Sequence, residues 1–137
     1  MLNYAIHKTQ PMATPKIILN RGKDHSLVRK HPWVFSGAIH SDTTNLEEVI
    51  QVDVYNAEDV FMGHGHFQIG SIAVRIFDAK VQKNLDAKYW QKRVDELVDS
   101  RRSIGFIGNK ETDIFRLCHA EGDGLPGLVI DMYHGTA

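Results

Sequence analysis

Three groups of side chains have types and spacings that chemistry could use. The first is cationic: Lys16, Arg21, Lys23, Arg29 and Lys30 face the single acid Asp24, with His25 and His31 beside them. Such a run could hold a phosphate backbone at one place and in one orientation. On charge alone, a solvated helix face is the plainer reading. The second group is His64-Gly65-His66. On a strand the two imidazoles point to one face, as two metal ligands must, but no third ligand is placed by spacing. The glycines are better read as a bulge or a close backbone approach, and the histidines as edge or surface residues. The third group is Glu121 and Asp123 in Glu121-Gly122-Asp123-Gly124-Leu125-Pro126-Gly127. Paired carboxylates could do acid/base work or hold a cation, although a glycine-rich acidic stretch is more often only a turn.

The elements that must carry these residues follow from pattern and punctuation. Lys16 to Leu19 is a β-branched run that predicts a first strand, and Asn20-Arg21-Gly22 a turn. A short helix capped by Asp24 or Ser26 should end near Lys30, because Pro32 bars His31 from helical angles. Arg29 and Lys30 would then occupy its last turn, where the dipole favours cations. Trp33-Val34-Phe35 is expected to plug a small core, with base stacking by Trp33 as the lesser alternative. Glu48–Tyr55, Val60–Phe67 and Ser71–Phe77 read as strands with breaks between them, the first two as a hairpin. Close, even spacing of that kind predicts a small antiparallel barrel.

At Leu85 the period changes. Trp90, Val94, Leu97 and Val98 recur at helical spacing without an interrupting glycine or proline, so an amphipathic helix is expected from an Asp86 cap to a stop at Gly105. Asp113–His119 and Leu128–Tyr133 then predict two strands joined by the glycine-rich turn. The chain ends soon after the second of these, and such an unfinished sheet suggests truncation. Its free edge near Val129 would suit a homodimer by strand pairing.

Composition bounds the function classes. With 42% hydrophobic and 24% charged residues, 137 residues can bury one ordinary core, or one small barrel and part of a second domain. The net charge of −1 argues against polyanion binding over the whole surface. From His31 to Val74 there is no Lys or Arg, while Asp42, Glu47, Glu48, Asp53, Glu58 and Asp59 accumulate. Cys118 is the only cysteine, which rules out a disulfide within the chain and suits a reducing compartment. No apolar run approaches the roughly 18 residues of a membrane span, so a cytoplasmic protein with no membrane partner is expected.

His31-Pro32-Trp33-Val34-Phe35-Ser36-Gly37-Ala38-Ile39, together with Glu121-Gly122-Asp123-Gly124-Leu125-Pro126-Gly127-Leu128 and the helix between them, resembles the N-terminal part of S-adenosylmethionine-dependent methyltransferases that modify cytosine C5 of large-subunit (23S) ribosomal RNA. The resemblance runs from Lys16 to Tyr133. Residues 1–15, with two prolines and no sustained periodicity, read as a leader or disordered extension. The resemblance implies a mixed α+β chain beyond them: residues 16–80 a PUA-like β pseudo-barrel that binds RNA, and residues 81–137 an incomplete small α/β domain. The domain that binds S-adenosylmethionine and carries the catalytic cysteine would lie outside this chain. No glycine-rich loop between a strand and a helix occurs here, and Cys118, in a predicted strand, reads as a small buried residue. The chain itself is therefore expected to hold no catalytic residue, no cofactor and no metal. Its implied part is to position ribosomal RNA, with Lys23, Arg29 and Lys30 on phosphates and Arg21 as a weaker candidate. The alternative is a free-standing RNA-binding module of PUA type, or a protein-docking module that uses the acidic stretch from Asp42 to Asp59.

Overall fold

The computed structural model describes residues 13–137. Residues 1–12 of the expected leader lie outside the described residues. Pro15 already belongs to the sheet, since its carbonyl accepts from the Asp53 N–H at 2.9 Å.

Five strands build the first layer: β1 (Lys16–Ile18), β2 (Trp33–Phe35), β3 (Gln51–Tyr55), β4 (Phe61–Phe67) and β5 (Ile72–Asp78). They lie in the order β1-β3-β4-β5-β2. β3–β4 and β4–β5 pair antiparallel across short turns, and β5 also pairs antiparallel with β2. β1 departs from the expected antiparallel barrel by lying parallel to β3. The long connection between the two, which contains β2, permits that crossover. The segment after β2 returns to β1 through a Leu19–Ile39 bridge and a His40 N–H to Ile18 carbonyl bond of 2.8 Å, which curls the sheet towards closure. Inside sit Ile17, Leu19, Val34, Val52, Val54, Phe67, Val74 and Ile76, the inward members of period-two runs.

Three local expectations are corrected. Of Trp33-Val34-Phe35 only Val34 enters the core; Trp33 is half-buried and Phe35 exposed, because a strand sends its alternate side chains outward. His64 is neither an edge nor a surface residue. It is 5% exposed on β4, the middle strand of the sheet. Its Nδ1 meets Asp53 Oδ1 at 2.6 Å and its Nε2 accepts from the Gln82 N–H at 3.0 Å, so both ring nitrogens are engaged. The flanking glycine does mark a close approach: a Cβ on Gly65 would stand 2.8 Å from the Arg75 carbonyl oxygen, beside a register shift between His64 and Gly65. Finally, α1 (His25–Val28) is a single turn. Asp24 is its N-cap residue but makes no side-chain cap, and accepts instead from Asn56 Nδ2 at 3.3 Å.

The second layer is α2 (Ala87–Ser103) over β6 (Ile114–His119) and β7 (Val129–Tyr133), which pair antiparallel. Asp86 caps α2 by accepting from the Lys88 and Tyr89 N–H groups at 3.0 and 3.1 Å, and Gly105 follows the end at φ +81°. Leu97, Leu117, Cys118 and Leu125 form a separate small core. Cys118 is fully buried against the Leu128 carbonyl, and burial pushes its thiol pKa up, which suits packing and not nucleophilic attack. No described helix is long and apolar enough to cross a membrane.

Candidate nucleic-acid interface

The cationic segment is an exposed hook between β1 and β2. Gly22 turns the chain at φ +72°, which a β-carbon would strain, and the Lys23 N–H closes that turn on the Asn20 carbonyl at 3.0 Å. One helical turn follows. Arg29 is the residue that ends α1, and Lys30 lies beyond it at φ +64°, so neither occupies a last helical turn as expected. The left-handed step at Lys30 lets His31 and Pro32 leave in an extended direction. Arg29, Lys30 and Lys23 are exposed and form no ion pair among the described residues. Arg21 points back to Glu58, 3.5 Å away, and Lys16 is paired with Asp59 while lying over the Tyr55 ring. The β3–β4 hairpin thus gives two cations of the run acidic partners and leaves three without one among the described residues.

The same pairs disperse the acidic stretch. Glu58 and Asp59 serve cations, Asp53 serves His64, Asp42 bonds the Thr44 N–H, and Glu48 the Ile69 N–H. Five of the six acids of that stretch therefore have local partners.

The two sequence segments that stand out in the chain meet in space. Trp33 donates its indole N–H to Glu121 Oε1 at 3.0 Å, and this bond holds the Glu121 carboxyl below the usual glutamate range. Glu121 and Asp123 are not paired with each other for catalysis. Burial raises the Asp123 pKa, but the His119 N–H at 2.6 Å and the Arg101 guanidinium bring it below the ordinary value on balance. Both lie on a 3-10 turn, Ala120–Asp123, which Gly124 ends in the left-handed conformation. Among the described residues no cluster of three metal-ligating side chains occurs.

Sequence reasoning missed the surface that this meeting creates. Register puts Trp33 opposite Arg75, and Arg75 opposite His66, on three adjacent strands. Helix α2 adds Trp90, which packs on Phe77 at a centroid distance of 5.0 Å. Alternation on β5 does assign Arg75 to the face away from the core, but only pairing shows which residues flank it.

Residues 17–79 match the family described as PUA-like domain, and the curled five-stranded sheet has that architecture. Over a span longer than this domain, the chain is 37% identical over 119 residues to the ribosomal RNA large subunit methyltransferase I of Pseudoalteromonas atlantica, covering 86% of this chain and 30% of that protein. It is 38% identical over 123 residues to the protein of the same name from Vibrio cholerae, covering 88% of this chain and 30% of the relative. Among solved structures, a putative SAM-dependent methyltransferase from Streptococcus mutans superposes with a TM-score of 0.69 at 24% identity, over 88% of this chain and 31% of that one. A putative methyltransferase complexed with SAH gives 0.71 at 24% identity, over 88% and 30%. The chain spans about 30% of the length of the curated relatives it matches.

Proposed function

We propose that this chain is the RNA-handling part of an rRNA methyltransferase, and that it presents ribosomal RNA for methyl transfer to a cytosine C5 by a domain outside these residues. The observation that carries the reading is identity of 37–38% to rRNA large subunit methyltransferases across both layers of the fold, and not only over the PUA-like part. S-adenosylmethionine would bind elsewhere in the full-length protein. Its usual cradle is a glycine-rich loop from a strand into a helix, whereas the glycine-rich turn here joins strand β6 to strand β7. No chemical step is assigned to these residues. Lys23, Arg29 and Lys30 contact phosphates, and Arg21 contributes less because Glu58 faces it. Interactions of this kind fix register and orientation and carry little base specificity.

Fluorescence anisotropy with a 23S rRNA fragment tests this across a salt series. Arg29→Ala with Lys30→Ala should weaken binding, and should flatten the log–log salt slope by roughly one unit for each phosphate no longer neutralised. Unchanged affinity and slope would remove the hook from the interface.

A further inference from the structure

Between the outer face of the five-stranded sheet and the Leu125–Leu128 turn lies a cavity of about 540 Å³. That volume falls within the roughly 300–1,000 Å³ typical of small-ligand sites. One wall is aromatic: the His66 and Trp90 rings are inclined by only 17°, with centroids 6.3 Å apart. The facing wall, Leu125 and Leu128, is aliphatic. Arg75 and Gln68 also line the space, and the Arg75 guanidinium donates to the Gln68 carbonyl oxygen. The remaining N–H donors of both side chains are left for a ligand. Burial lowers the His66 pKa, so that at neutral pH its ring is an uncharged flat surface.

Flat faces, an aliphatic back and one guanidinium with an amide beside it suit a planar heterocycle that carries a phosphate. A base within a duplex offers neither a free face nor a free Watson–Crick edge, whereas an unpaired base offers both. The geometry points to a pocket for one unpaired RNA nucleotide. Its base lies against His66 and Trp90 with an edge on Gln68, and its phosphate lies on Arg75. This deepens the RNA-handling reading proposed above and rests on it. Stacking tolerates any base, so the pocket selects unpaired from paired RNA more strongly than it selects sequence.

The test uses the whole chain with two labelled probes, an oligouridylate and an RNA duplex of equal length. Two variants address the cleft: Arg75→Gln removes the cation, and Leu128→Trp fills the space from a position that is 42% exposed. Each variant is checked for an unchanged thermal midpoint, and if Leu128→Trp unfolds, Arg75→Gln alone decides. Both variants should weaken oligouridylate binding roughly tenfold, the scale of a single stacking or charged interaction, and leave duplex binding as it was. Unaltered oligouridylate affinity, alongside weaker binding by the Arg29→Ala, Lys30→Ala protein, would overturn the pocket and leave the RNA-handling reading standing. Failure of the unaltered protein to bind either probe would overturn both.

Discussion

Trp33 and Glu121 stand 88 residues apart and share one hydrogen bond, which ties the curled five-stranded sheet to the α2–β6–β7 layer. The bond is also a titratable link. Because Glu121 ionises at lower pH in the folded chain than in the unfolded one, its contribution is fully present above the unfolded value, about 4.3, and is lost as pH falls through the depressed folded value. Tryptophan emission followed from pH 6 downward, roughly, should therefore change below the usual glutamate range, and Glu121→Gln should remove that change. A transition of equal size in the Gln variant would assign it to another carboxylate. At this scale the sequence was partly legible. Spacing put His64 and His66 on strand positions of one face, and composition marked the Glu121 turn. It could not show that His64 lies between Asp53 and Gln82, because those partners come from a neighbouring strand and a later connection.

Elements were legible in proportion to their length. The helix α2 followed from a repeated apolar spacing and a cap residue, and its observed start agrees with Asp86 as the cap. Asp86→Ala should then cost about 1 kcal/mol, seen as a lower urea midpoint at constant slope. No shift in midpoint would mean that the Lys88 and Tyr89 N–H groups find water equally well. The one-turn α1 was harder to read, since four residues provide no period, and the left-handed step at Lys30 left no signature in residue type. That step matters to function. It closes the helix end, with the Lys30 N–H on the Leu27 carbonyl at 2.8 Å and the His31 N–H on the Ser26 carbonyl at 2.9 Å, so that Arg29 and Lys30 stand on a hydrogen-bonded bend.

Across the whole molecule, two small cores are joined by aromatic packing of Phe77 on Trp90 and by the Trp33–Glu121 bond. The long helix and every strand but β2 could be read in order from pattern, whereas the PUA-like class of the first layer came from the family resemblance. The cleft could not, because it depends on cross-strand register and on which turn lands on which sheet face, and neither is a property of local sequence. The central claim is that RNA is held by the exposed hook and by this cleft. Backbone amide shifts of the isotopically labelled chain, followed by NMR during titration with a 23S rRNA fragment that contains an unpaired loop, test it most directly. The account predicts shifts concentrated at Gly22–Trp33 and at His66, Gln68, Arg75 and Leu128, with few at Glu47, Glu48 and Glu58. Shifts confined to those acidic positions, or none at saturating RNA, would contradict it.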